Sequence, residues 1–190
     1  MKIGLFFGSF NPIHVGHLII ANHILNNGFT EKIWFIVSPQ NPLKEKTTLL
    51  RDYDRLYLVK TATEDDFRIK VSDIEFHLPQ PSYTINTLTY LTEKYPNDEF
   101  LIIMGGDSFQ NLNRWKNYEI LIDQYEIIVY RRIGFDVTNN LNAKIKIVEA
   151  PFLDITATEI RELIKSGKSI RYMVPDKVRD EIERGGYFKK

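Results

Sequence analysis

Short runs of apolar residues alternate with longer stretches of helical periodicity from one end of this chain to the other. Residues 3–7, 33–37, 100–104, 125–130 and 145–148 read as strands, several of them lacking the polar alternation of a half-solvated sheet. After the first strand, Val15, Leu18, Ile19, Asn22 and Leu25 fall near one helical face, and Gly28 stands where that helix would stop. Residues 49–62 and 84–95 are further helices, the second ended by Pro96. A closing helix starts at Pro175, carries Val178 and Ile182 one turn apart, and stops at Gly185-Gly186. Strand alternating with helix implies βαβ units with right-handed crossovers. The expected fold is therefore α/β, a doubly wound, Rossmann-like parallel sheet with helices on both faces.

A length of 190 residues suits a single domain over 1–190, and 43% apolar with 26% charged residues is an ordinary globular balance. Lys plus Arg and Asp plus Glu both number 25, so no net field exists to hold a long polyanion. The aromatic residues are scattered through strand and helix patterns rather than interleaved with Lys and Arg, which favours core packing over nucleic-acid stacking. There is no cysteine, which excludes disulfides, thiolate metal sites and cysteine nucleophiles. No basic-then-apolar segment precedes the first strand, and no apolar run approaches membrane-spanning length, so a cytoplasmic protein is expected.

The densest chemistry lies where the first strand gives way to the first helix, in Gly8-Ser9-Phe10-Asn11-Pro12-Ile13-His14-Val15-Gly16-His17. At such a junction the carboxyl end of a strand opens onto a crevice, and helix amides point at an anion. Gly8 is expected to turn the backbone, Pro12 to stiffen the loop, and Gly16 to let a ligand approach the amides. His14 and His17, three apart, would project to one side of a helical turn. No third ligand stands at a spacing that would complete a metal site. The run points to a phosphate site, with two histidines that merely cap a helix as the alternative.

A second cluster is Ile155-Thr156-Ala157-Thr158-Glu159-Ile160-Arg161. Thr156 and Glu159 have capping-box spacing, with Thr156 as N-cap and Glu159 at N3. The free amides of that turn, the Thr158 hydroxyl and the planar fork of Arg161 would form a second anion site. Alone, the segment is an ordinary capped helix with a surface arginine. Two long irregular pieces remain. Residues 38–47, with Pro39, Pro42, Lys44 and Lys46, lie just beyond a strand's carboxyl end and read as functional; the Asn-rich 133–143 reads as a peripheral excursion. Arg131-Arg132 reads either as a nucleotide contact or as a solvated sheet edge.

Taken together, Gly8-Ser9-Phe10-x-Pro12-x-His14-x-Gly16-His17 and Ile155-Thr156-x-Thr158-x-Ile160-Arg161 resemble the paired signatures of the nucleotidylyltransferase superfamily. Ser82-Tyr83-Thr84 with Thr87-Leu88, Met104-Gly105-Gly106-Asp107-Ser108-Phe109, Trp115, and Val174-Pro175 through Gly185-Gly186-Tyr187 extend the likeness. Their order and spacing are similar to the bacterial nicotinate-nucleotide adenylyltransferases over nearly the whole chain. The family more often has Gly at Phe7, Asp at Asn11 and His at Leu43; Asn11 keeps the short polar turn chemistry.

The resemblance implies attack by the 5′-phosphate of nicotinic acid mononucleotide on the α-phosphorus of ATP, releasing pyrophosphate. A phosphate monoester has a second pKa near ~6 and is mostly ionised at neutral pH, so no general base is demanded. Alignment and charge neutralisation are what remain to be supplied. The implied catalytic residues are His14, His17, Lys44 and Arg161. With them Gly8, Ser9, Phe10, Gly16, Gly105, Asp107, Ile155, Thr156 and Thr158 would bind ATP, and the part from about 155 to 190 would complete that site. Tyr83, Thr84, Asp107 and Trp115 would bind the acceptor, although Trp115 and Tyr83 also suit core packing. Mg²⁺ would ride on ATP and pyrophosphate with no protein metal ligand. The implied partners are these small molecules, with neither nucleic acid nor membrane; a homo-oligomer is left open. Rival readings are transfer to nicotinamide mononucleotide or phosphopantetheine, a non-catalytic nucleotide-binding domain, and a fragment of a class I aminoacyl-tRNA synthetase.

Overall fold

The computed structural model describes residues 1–39, 49–131, 137–151 and 153–189. The expected site residue Lys44, most of the 38–47 loop, Arg132 and part of 133–143 lie outside the described residues. The described strands are β1 Lys2–Gly8, β2 Lys32–Val37, β3 Ile69–Ser72, β4 Glu99–Gly105, β5 Ile127–Tyr130 and β6 Ile145–Val148. The helices are α1 Val15–Asn26, α2 Asp52–Thr63, α3 Thr84–Lys94, α4 Gly106–Gln110, α5 Tyr118–Gln124, α6 Ala157–Lys165 and α7 Asp176–Gly185. All six strands join one sheet in the order β3-β2-β1-β4-β5-β6, with every neighbouring pair parallel. The doubly wound α/β architecture expected from the sequence is the one observed.

Successive side chains of a strand point to opposite faces, and these runs are apolar throughout, so both faces must be covered. Phe6, Phe35, Leu101, Ile103 and Ile128 point toward Ile24 of α1, Val59 of α2, Ile160 of α6 and Val178 of α7. Leu5, Trp34, Ile36, Ile102, Met104 and Val129 point the other way, onto Leu88 and Leu91 of α3, Phe109 of α4 and Leu121 of α5. Among the described residues no helix is long and apolar enough to cross a membrane.

The differences from the sequence reading have local causes. β3 escapes the apolar-run signal because only Ile69 and Val71 of its four residues are apolar; its Lys70 ammonium lies 3.8 Å over the Trp34 ring. α4 and α5 are one or two turns long, too short for periodicity to register. β5 starts at Ile127 rather than 125, because Tyr125 still closes α5. The 133–143 stretch is not simply peripheral. Val137 and Leu141 pack against the core beside α3–α5, Ala143 is buried, and Asn139 bonds both the amide and the carbonyl of Ala143.

α2 begins at Asp52, not 49, because the residues before it are held by a buried guanidinium. Arg55 is fully buried. Its Nε donates to Leu50 O (3.0 Å), Nη1 to Ser9 O and to Ser38 O (2.8 Å), and Nη2 to Pro39 O (3.1 Å) and Asp52 Oδ1 (2.7 Å). All five N–H groups are thus satisfied, mostly by carbonyls of segments that have no ladder partners. Burial pushes the guanidinium below its ordinary value and Asp52 pulls it back up, yet an arginine stays charged at any working pH.

Replacing Arg55 with Met removes every one of these donors at once. The Arg55→Met variant is expected to lose on the order of 3–5 kcal/mol in urea denaturation, because buried carbonyls are left without partners. Arg55→Lys should recover only part, since an ammonium lacks the fork. A loss below about 1 kcal/mol for Arg55→Met would show the bonds to be dispensable.

Candidate functional site

At the carboxyl edge of the sheet, where the strand order reverses between β1 and β4, a cleft of about 590 Å³ opens. All of the expected site residues that are described line it. One wall is the loop from Gly8 to His14. A Cβ on Gly8 would come within 2.7 Å of the Phe10 ring, so close approach, not a turn at Gly8, demands glycine there. The turn is taken by Phe10, at φ 45°. Its left-handed backbone is disfavoured for a bulky residue by roughly 1–2 kcal/mol. Burial offsets that cost: the ring is 3% exposed and packs edge-on against Phe6, His17 and Phe35. The Asn11–Pro12 peptide is cis.

His14 is the N-cap of α1 and His17 its third residue, and their rings stack with centroids 3.7 Å apart. The His14 backbone amide donates to His17 Nδ1 at 3.3 Å. The capping reading of these histidines is therefore observed, and both rings also line the cleft. Because Nδ1 accepts, the proton of the neutral His17 ring is assigned to Nε2, which becomes a donor. A second bond fixes the start of α1: the Val15 amide donates to Met173 O at 2.9 Å.

The opposite lip is the start of α6. Thr156 is its N-cap, and its hydroxyl accepts from the Glu159 amide at 3.1 Å, as the spacing predicts. Ile155, Thr156, Ala157, Thr158 and Arg161 line the cleft. Arg161 does more than the sequence implied. Its Nη1 donates to Asn11 O at 2.9 Å and its Nη2 to the Thr158 hydroxyl at 3.1 Å, latching α6 onto the loop after β1. Among the described residues, these bonds engage two of its five N–H groups. Burial lowers its pKa from the ordinary value, with Glu162 acting in the opposite direction.

The far end of the cleft is built by the other half of the sheet. Gly105 ends β4, and a Cβ there would meet Asp107 Oδ1 at 2.6 Å and the Tyr130 ring at 3.1 Å. Asp107 lies in the first turn of α4, and Trp115 follows the 3₁₀ turn Leu112–Arg114. Trp115 and Tyr83 each pack against the second core while lining the cleft, so the two readings of them are compatible. Tyr83 is the N-cap of α3, beside Thr84, and the Lys116 ammonium lies 4.4 Å from its ring. Arg131 pairs with Glu149 at 3.0 Å on the exposed side and does not line the cleft.

Glu75, Arg114, Lys116 and Tyr130 are among the lining residues that the sequence reading did not single out. Glu75 is 2% exposed and accepts from Ser82 Oγ (3.0 Å) and Thr87 Oγ1 (2.9 Å). Nothing in its neighbourhood, Asp73-Ile74-Glu75-Phe76-His77, distinguishes it from a surface acid. Asn11 also has an unforeseen role, its Oδ1 accepting from the Leu50 amide at 3.0 Å.

Comparison with known proteins agrees with this geometry. The cytidylyltransferase-like family model matches residues 5–165. A probable nicotinate-nucleotide adenylyltransferase of Flavobacterium psychrophilum is 51% identical over 100% of both chains. One from Bacteroides thetaiotaomicron is 43% identical over 96% of this chain and 91% of the relative. Among solved structures, the Plasmodium falciparum nicotinic acid mononucleotide adenylyltransferase complexed with NaAD superposes with a TM-score of 0.85. It covers 98% of this chain and 97% of its own at 20% identity, and so shares the fold.

Burial raises the Glu75 carboxyl above its ordinary value of 4.5, and the hydroxyls of Ser38, Thr87 and Ser82 oppose the shift without cancelling it. The fold thus favours the protonated form. Its contribution to stability is complete below the ordinary value and is lost as pH rises through the shifted one. The stability of the native chain relative to Glu75→Gln should therefore fall as pH rises from 4.5. Denaturation midpoints of both proteins across a pH series check this; a constant or rising difference would contradict it.

Proposed function

The chain belongs to the nicotinate-nucleotide adenylyltransferase family, and we propose that its cleft transfers the adenylyl group of ATP to nicotinic acid mononucleotide. The products are nicotinic acid adenine dinucleotide and pyrophosphate. The observation that carries this reading is the convergence of two helix N-termini, those of α1 and α6, on one cleft, latched by Arg161 on Asn11 O. Two amide-rich ends with a guanidinium between them suit a triphosphate.

On this reading the acceptor phosphate attacks the α-phosphorus in line, the P–O bond to the β-phosphate breaks, and the electron pair leaves with pyrophosphate. The nucleophile is already ionised, so the protein's task is alignment and charge neutralisation. His17 Nε2 donates to the transferring phosphoryl group and His14 to the adjoining oxygens. Thr158, the first amides of α6 and the free N–H groups of Arg161 hold the β- and γ-phosphates, with Lys44 screening them. The segment from 155 onward thereby completes the ATP site. Gly8, Ser9, Phe10 and Gly16 shape the loop around the nucleotide, and Ile155 and Gly105 bring their backbone to its edge. Asp107 takes ribose hydroxyls between the two substrates. Trp115 stacks on the pyridine ring, with Tyr83 and Thr84 beside it.

Mg²⁺ would be carried by the triphosphate and pyrophosphate, where it neutralises charge on the leaving group. The cleft's donor set fits a substrate-borne ion: among the described residues, no three His, Asp or Glu side chains gather into a metal-binding group. The acid is the favoured acceptor because the Lys116 ammonium, over the Tyr83 ring, has no ion-pair partner among the described residues. A carboxylate gains from that charge and a carboxamide does not. We assign the enzyme to the cytoplasm, with small-molecule partners rather than nucleic acid or membrane.

Two measurements test this. Pyrophosphate release should be fastest with nicotinic acid mononucleotide in a panel that includes nicotinamide mononucleotide and phosphopantetheine; preference for another acceptor would overturn the assignment. His17→Ala should stay folded and lose on the order of 100- to 1000-fold in turnover, the usual cost of one preorganised donor. Near-native turnover in that variant would remove His17 from the mechanism.

A further inference from the structure

Adenylyl transfer leaves one buried acid beside the cleft without a task. Glu75 lies in the 3₁₀ turn Ile74–Phe76, its carboxylate closed off from solvent and lining the cleft. No cation pairs with it among the described residues. Its oxygens are held by hydroxyls alone: Ser82 Oγ at 3.0 Å, Thr87 Oγ1 at 2.9 Å, and Ser38. Its own carbonyl accepts from Gln80 Nε2 at 2.6 Å. A buried acid without a counter-charge is expensive, and an apolar side chain of similar size would serve stability better.

What the carboxylate holds explains its presence. Ser82 and Thr87 bracket Tyr83 and Thr84, the rim assigned to the acceptor. The N-cap of α3 is Tyr83, which has no side-chain cap bond of its own. The two hydroxyl bonds to Glu75, one on either side of the rim, anchor the start of α3 through side chains instead. The third, to Ser38, ties the same carboxylate to the end of β2, where Arg55 grips the Ser38 carbonyl at 2.8 Å. One carboxylate therefore sets the distance between the acceptor rim and the loops on the ATP side.

We propose that Glu75 is a positioning residue for the acceptor, fixing the Tyr83–Thr84 rim against the end of β2 and so setting acceptor affinity. This rests on the adenylyl-transfer reading. Steady-state constants for nicotinic acid mononucleotide and for ATP are measured separately in Glu75→Ala, Glu75→Gln, Ser82→Ala and Thr87→Val, with circular dichroism melts confirming the fold. Glu75→Ala should raise the acceptor KM about tenfold or more while the ATP KM stays within about twofold, the scale set by charge-assisted hydrogen bonds. Ser82→Ala and Thr87→Val should each give a smaller rise of the same kind. Glu75→Gln should recover most of the affinity, because an amide can still accept from two hydroxyls and donate to the third.

An unchanged acceptor KM in folded variants, or equal rises for both substrates, would overturn the proposal. If Glu75→Ala does not fold, the two hydroxyl variants decide it. Wild-type turnover separates the two levels of inference. A wild type that releases no pyrophosphate with the mononucleotide overturns the functional reading and this proposal with it. A wild type that turns over beside indifferent variants overturns only the role of Glu75.

Discussion

The constraint on which everything else depends is the opposite winding of the two halves of the sheet. From β1 the chain passes outward through β2 to β3; it then returns beside β1 as β4 and passes outward through β5 to β6. The helices leave β1 and β4 toward opposite faces, so no crossover covers the gap between those two carboxyl ends. In a parallel sheet the crossover helices run back against the strands, which brings their N-termini to the carboxyl edge. The starts of α1 and α3, and that of α6 after β6, reach the cleft for that reason. A fold that closes its core in this way leaves an amide-rich gap as a by-product.

The same edge is where backbone groups run out of ladder partners, and side chains take their place. Arg55 satisfies carbonyls of Ser9, Ser38, Pro39 and Leu50; Asn11 takes the Leu50 amide; Arg161 takes the Asn11 carbonyl. These bonds form a chain from α2 through the loop after β1 to α6. Elements far apart in sequence are held in register around the cleft by polar groups, while the apolar cores on either face hold the helices to the sheet. Stability and site geometry therefore share atoms, and loosening one loosens the other.

How much of this was legible in the sequence follows from the range over which each feature acts. β1, β2, β4 and β6, and helices α1, α3 and α7, announce themselves by local periodicity. So do the Thr156–Glu159 cap and the His14–His17 pair, because three-residue spacing is itself the geometry. β3 and α5 were missed because a strand with two apolar residues and a two-turn helix owe their existence to tertiary packing. Arg55 and Glu75 were illegible for a stronger reason. Their partners lie as far off in the chain as Ser9 and Ser38, and no local pattern separates a buried charged residue from a surface one. Gly8 was singled out correctly but for the wrong reason: the Phe10 ring, not the local backbone, requires it.

The pair of histidines shows why residue type, and not only position, matters at the start of α1. A Ser, Thr or Asp would cap that helix more conventionally. An aspartate there would place a negative charge against the triphosphate proposed to bind, and a short hydroxyl spent on the helix amide would reach no farther. An imidazole has two nitrogens on opposite sides of one ring. His17 takes the His14 amide on Nδ1, which orients the ring and assigns its proton to Nε2. Stacking against His14 at 3.7 Å and edge contacts with Phe6 and Phe10 support that orientation. The donor is therefore preorganised by the same bond that starts the helix. Capping and the proposed catalytic role, which look like competing explanations in the sequence, would be two ends of one ring.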